Sequence, residues 1–193
     1  MTQPVPDFAA ARRAMIDSQL RPQGVSDPAV LAAMASVPRE EFVPEAVRPL
    51  AYSDRPLHLG DGKALMPPAA LARLIMELEV RAGERALVVG SANGYAARVL
   101  EALGLSVDTA EGHQSAGKAI YDLILIDGAV EDVPAGLVAR LGPNGRLGTA
   151  VADNGVTRLA IGKVSNGILG LRRFADAEVP VLSSFSRPRV FSF

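Results

Sequence analysis

Few side chains in this chain can act on a ligand, and they cluster around one pattern. The run Ala86-Leu87-Val88-Val89-Gly90-Ser91-Ala92-Asn93-Gly94-Tyr95 carries an apolar segment into a glycine turn, and Glu111 follows Gly90 by 21 residues. A strand that enters such a turn lets the backbone approach a ligand closely and aims the N–H groups of the next helix at it. An acid about 20 residues further on is where nucleotide folds bind ribose hydroxyls. Gly90, Ser91, Asn93, Gly94 and Glu111 are therefore the candidate cofactor-binding residues. A plain tight turn and a solvated loop carboxylate are the competing readings. Asp127 closes the apolar run YDLILID, at the carboxyl end of a central strand, and is the single weak catalytic candidate. It is equally placed to cap a helix. The glycines read G-x-x-x-G, which argues against a dinucleotide fingerprint, and no G-K-[ST] of a P-loop is present.

Composition narrows the chemistry further. The chain has no Cys and two His, His58 and His113. Disulfides, thiolate nucleophiles and Cys-based zinc sites are excluded, and a metal site is not expected. Chemistry here must use carboxylates, backbone groups or a bound cofactor. His58 reads as a loop residue, and His113 falls in a short loop. With 20 basic and 21 acidic residues the net charge is -1, so nothing favours nucleic acid or an acidic membrane as a partner. The N-terminal residues lack a secretion-type apolar run, and no stretch reaches the ~18 apolar residues of a membrane span. The expectation is a cytoplasmic protein.

The elements that must position these residues follow from the punctuation. A length of 193 residues with 49% apolar content suits one domain. It divides into a helical and loop region, 1–68, and an α/β core, 69–193. Asp7 caps a helix that runs to Leu20 and ends at Arg21-Pro22. A second helix spans Ala29 to Ser36, a short turn covers Arg39 to Phe42, and Arg55 to Pro68 reads as an irregular loop. In the core, a helix over Ala69–Glu79 precedes strands over 85–89, 105–110, 121–126 and 146–151. Helices over 95–103 and 134–141 alternate with them. Ser165-Asn166-Gly167 joins a hairpin, on which Arg172 and Arg173 read as a solvated edge, and a last strand covers 189–193. Strands alternating with helices, then an antiparallel hairpin, argue for an α/β sandwich.

Beyond these elements, four ordered runs carry a more specific signal: Gln19-Leu20-Arg21-Pro22-Gln23-Gly24-Val25-Ser26-Asp27-Pro28, Val37-Pro38-Arg39-Glu40-Glu41-Phe42-Val43-Pro44, Ala51-Tyr52-Ser53-Asp54-Arg55-Pro56-Leu57 and Leu59-Gly60-Asp61-Gly62. Together with the glycine turn, YDLILIDGA and Gly145-Arg146-Leu147, they resemble protein-L-isoaspartate O-methyltransferases over about residues 12–151. The resemblance implies a Rossmann-like class I S-adenosylmethionine methyltransferase sandwich, its sheet mostly parallel with a C-terminal antiparallel hairpin. It also implies S-adenosylmethionine as cofactor and a damaged protein or peptide as substrate. The α-carboxylate of an isoaspartyl residue then attacks the cofactor's methyl group directly, in protein repair. A carboxylate is already ionised at neutral pH, so such an enzyme needs positioning more than a base.

Against that family the chain departs in four places. Val88 stands where the family's first core strand carries an acid, and Ala92 where its turn has a middle glycine. Ala64 and Met66 occupy the two hydroxyl positions of the loop after Gly62. Ten residues, 111–120, stand where the family places a helix and a strand, so one edge strand-helix unit is expected to be missing. Two readings of function follow: a carboxyl methyltransferase of the isoaspartate type, or a catalytically degenerate relative, a pseudoenzyme that acts as a binding or scaffold module.

Overall fold

The computed structural model describes residues 7–60, 63–90, 94–111, 119–165 and 167–185. Asp7 caps α1 (Phe8–Met15) by accepting from the Ala10 N–H at 2.9 Å. The helix widens into a π turn over Ile16–Leu20 and ends there, as its proline demands. Asp27 accepts from the N–H groups of Ala29 and Val30 and so opens α2 (Pro28–Ser36), with Pro28 at the first position. Short 3-10 turns follow over Arg39–Phe42 and Glu45–Leu50.

The stretch expected to be an irregular loop contains a hairpin instead. β1 (Leu57–Gly60) pairs antiparallel with β2 (Lys63–Leu65), with Leu57 opposite Leu65 and His58 opposite Ala64. Pro56, Pro67 and Pro68 flank these strands rather than interrupt them, so no ladder donor is lost. Leu57 and Leu65 are buried and fix the ribbon to the core.

The main sheet begins after α3 (Pro68–Glu77). In chain order come β3 (Arg85–Val89), α4 (Tyr95–Ala102), β4 (Ser106–Ala110), β5 (Tyr121–Val130), α5 (Ala135–Val138), β6 (Leu141–Asp153), β7 (Val156–Ser165) and β8 (Ile168–Asp176). Their spatial order is β4-β3-β5-β6-β7-β8. The first four are parallel and the last two antiparallel. This is the α/β sandwich with a C-terminal hairpin that the pattern predicts. Alternation sends Ala86, Val88, Leu123 and Leu125 to one buried face with residues of α2, α3 and α4. Leu87, Val89, Ile124, Ile126 and Leu147 go to the other, with Leu137 and Phe185. A sheet covered on both faces needs such continuous apolar strands.

Element lengths differ from expectation most at β5, α5 and β6, which spans Leu141–Asp153 where a strand over 146–151 is expected. β5 runs four residues past Ile126, because a bulge between Leu125 and Ala129 lets Ala129 and Val130 rejoin β6 at Ala150 and Val151. The helix expected over 134–141 is the four-residue α5, since Leu141 already pairs with Tyr121 as the first residue of β6. The connection from β4 to β5 is ten residues, and β4 is the outermost strand among the described residues. Residues 112–118 and the strand expected over 189–193 lie outside the described residues.

Candidate functional site

The chain leaves β3 for β4 on one side, then returns to β5 on the other side of β3. That reversal puts the topological switch point between β3 and β5, and the crevice beyond their carboxyl ends is where open α/β sheets bind ligands. Gly90 stands at the end of β3 with φ 89°, its N–H donating to the Ala110 carbonyl at 2.9 Å. Gly94, with φ 75°, is the N-cap of α4 and accepts from the Arg98 N–H at 2.9 Å. A Cβ at Gly94 would meet nothing within 4 Å, so that glycine is required by its left-handed backbone and not by crowding. Ser91 and Asn93, and Ala92 between them, lie outside the described residues.

Glu111 follows the end of β4, two strands from the switch point's far wall, with its side chain 87% exposed. Lys63 of β2 approaches it, Nζ to Oε1 3.4 Å, which ties the hairpin to the rim of the crevice. The pair is solvated and contributes little to stability. The carboxylate stays open to a ligand's hydroxyl groups.

Asp127 is inside β5 and only 2% exposed. The reading of it as a helix cap is corrected: the next helix starts at Ala135 behind Pro134, and Asp127 belongs to the extended strand. A cation attracts it from another element. Arg39, fully buried, lies within electrostatic reach of Asp127, and this attraction opposes the burial that pushes the guanidinium below its ordinary pKa. Arg39 Nε donates to the Ala51 carbonyl at 2.7 Å and Nη2 to the Met66 carbonyl at 2.6 Å. Its guanidinium stacks 4.7 Å from the centroid of the Tyr95 ring. Tyr95 opens α4, so this cation links the hairpin's exit to the helix whose N-terminus faces the crevice. Sequence reasoning missed Arg39 as a site residue, because no local signal distinguishes a buried arginine from a surface one.

The side chains at the divergent positions are apolar and packed. Val88 is buried in β3, and Ala64 and Met66 are buried at the hairpin's exit. None of the three supplies a polar group to the crevice. His58 is exposed on β1, opposite Ala64, and His113 lies outside the described residues. Arg172 and Arg173 are exposed on the edge strand β8, as the pattern predicts, and Arg172 Nη2 also lies 2.6 Å from Glu77 of α3.

A second residue that sequence reasoning did not find sits in the crevice itself. Leu182 lies over both Gly90 and Gly128: its Cδ1 is 2.5 Å from where a Cβ of residue 90 would stand, and its Cγ 2.4 Å from that of residue 128. Both positions must be glycine while this leucine is seated there.

Comparison with known proteins agrees with this geometry. The sequence model of the family described as protein-L-isoaspartate(D-aspartate) O-methyltransferase (PCMT) matches residues 10–107, from α1 into β4. A protein-L-isoaspartate O-methyltransferase of Methylorubrum extorquens is 38% identical over 181 residues, covering 80% of this chain and 79% of that protein. One from Koribacter versatilis is 32% identical over 206 residues, covering 92% and 93%. Among solved structures, a Plasmodium falciparum beta-aspartate methyltransferase (PCMT) in complex with S-adenosyl-L-homocysteine superposes with a TM-score of 0.69. It shares 19% identity, with 90% of this chain and 98% of that one covered. A further protein-L-isoaspartate O-methyltransferase reaches a TM-score of 0.73 at 18% identity, covering 91% and 67%. The fold is thus the Rossmann-like methyltransferase sandwich, and the chain belongs to the protein-L-isoaspartate(D-aspartate) O-methyltransferase family.

Proposed function

We propose that this chain is an S-adenosylmethionine-dependent methyltransferase that acts on the free α-carboxylate of isoaspartyl residues in damaged proteins. The observation that carries the reading is the crevice at the β3–β5 switch point. It brings together the left-handed Gly90 and Gly94, the N-terminus of α4 and the exposed carboxylate of Glu111. The residues present suit the cofactor unevenly. Glu111, exposed beside Lys63, can accept from ribose hydroxyls, and the glycines at 90 and 128 leave room that the Leu182 side chain takes up in this structure. Val88, buried at the position where the resemblance implies an acid, would offer the cofactor's methionine end no polar group. The cofactor supplies, when bound, an electrophilic methyl group to a carboxylate that is already ionised.

The chain's own contribution is orientation. Arg39 fixes the Met66 carbonyl and hence the course of the hairpin's exit beside the crevice. Ala64 and Met66 give an acceptor carboxylate no hydroxyl donor, so catalysis of transfer is weakened where the family is strongest. One hydrogen bond to a charged group is worth about 1.5–3 kcal/mol, and losing two corresponds to roughly 10²–10⁴-fold in affinity.

The second reading, a binding module that has lost catalysis, is favoured by the apolar Ala64 and Met66 and by the leucine seated over the crevice. Calorimetric titration with S-adenosylhomocysteine separates the two. Binding, followed by methyl transfer to an isoaspartyl peptide, supports the enzyme. No heat at millimolar ligand leaves the binding module.

A further inference from the structure

The segment that carries Leu182 has the features of a gate. Its upstream end is fixed: Val179 is buried, its N–H donates to Thr157 Oγ1 at 3.2 Å, and the Ala177 N–H donates to the Thr157 carbonyl at 3.1 Å. Its downstream end is fixed by Phe185, buried in the core on one face of the sheet. Between these anchors the chain crosses the end of β5. Ala129 donates to the Pro180 carbonyl at 2.8 Å, Leu182 donates to the Ala129 carbonyl at 2.9 Å, and Glu131 donates to the Phe185 carbonyl at 3.4 Å. Val181 beside Leu182 is 41% exposed and Leu182 itself is only half-buried, so the middle of the strap lies at the surface. Its one inward side chain ends over Gly90 and Gly128, the two walls of the crevice.

A branched side chain that fills the space above two glycines competes with any ligand that needs that space. We propose that Leu182 is an intrinsic gate on the crevice, so that a nucleoside cofactor enters only when the middle of the strap, 180–184, lifts from the ends of β3 and β5 between its two anchors. The inference rests on the proposed reading of the crevice as the cofactor site. The apparent affinity is then the intrinsic affinity reduced by the fraction of molecules with the strap raised. Shortening the side chain removes the competition without touching Glu111 or the glycine turn.

The test uses the full chain and S-adenosylhomocysteine. By calorimetry, Leu182→Ala binds roughly 10- to 100-fold more tightly than the parent, and Leu182→Val falls between them. The chain has no cysteine, so Leu182→Cys gives a single thiol. Its rate of maleimide labelling rises when S-adenosylhomocysteine is added, because the ligand holds the strap up. A thermal melt of each variant confirms that it folds, and Leu182→Val serves if Leu182→Ala does not. Equal affinity in parent and variants overturns the gate and leaves the cofactor reading intact, as does labelling that ligand slows. No binding by the parent or by either variant at millimolar ligand overturns the cofactor reading, and the gate falls with it.

Discussion

Replacing Arg39 by Met keeps a long apolar stem and removes the charge, which isolates what the buried guanidinium contributes. The side chain makes two charge-assisted bonds to carbonyls, 2.7 Å to Ala51 and 2.6 Å to Met66, and attracts Asp127. Each such bond is worth about 1.5–3 kcal/mol. Against them stands the desolvation of a fully buried cation, several kcal/mol that the methionine does not incur. Removing the guanidinium has a net cost of about 3–5 kcal/mol, because the Ala51 and Met66 carbonyls left behind keep their own desolvation penalty. The loss would be a large fraction of the roughly 5–15 kcal/mol that holds a domain folded. For a chain of this size it lowers the melting temperature by about 6–20 °C. Urea unfolding at pH 7 measures the free energy and differential scanning calorimetry the temperature. In the double variant with Asp127→Asn, part of the loss is recovered, since the carboxylate no longer lacks its cation. A loss under about 1 kcal/mol for Arg39→Met, or strict additivity with Asp127→Asn, would refute the reasoning.

Two further outcomes test other parts of the account. Gly94→Ala forces a Cβ onto a φ of 75° in open space, so it brings backbone strain alone; the expected loss is about 1–2 kcal/mol, read as a melting temperature lower by about 2–8 °C. Asp108 is held below the ordinary carboxylate range, first by the Tyr121 hydroxyl that donates to it at 2.8 Å and then by Arg85 at 2.7 Å. A depressed folded pKa means stability present above the unfolded value and lost as pH falls through the folded one. The melting temperature therefore declines as pH drops below about 4, and Asp108→Asn makes that acid limb shallower.

The glycine turn shows how a family frame and a working site can separate. Gly90 and Gly94 keep the left-handed conformations that aim α4 at a ligand. The side chains at 88, 64 and 66 are apolar and buried. Packing favours this, since apolar side chains gain from being buried at these positions. The frame outlasts the hydrogen bonds because the core holds it, whereas the bonds serve only a ligand.

Much of the fold was legible from local chemistry. Asp7 and Asp27 cap their helices, Ser165 pairs with Ile168 across a hairpin, and the apolar run from Tyr121 forms a central strand. These depend on neighbours a few residues apart, where side-chain type and backbone preference act directly. The positive φ of Gly90 and Gly94 and the place of Glu111 just after β4 follow from equally local signals, a glycine pair after an apolar strand and an acid at the end of the next. The tertiary structure alone decided the rest. Arg39 reaches a carbonyl 27 residues away, and Leu182 rests on glycines from two strands that are distant in the chain. The fate of Asp127 followed from β5 continuing past a bulge to meet β6 and the strap, not from the residues beside it. Burial of a charge and filling of a crevice are set by what packs against them from elsewhere in the chain. Sequence therefore placed two glycines and an acid at the ends of neighbouring strands, and only the folded chain revealed the buried cation of Arg39 and the leucine that lies over Gly90 and Gly128.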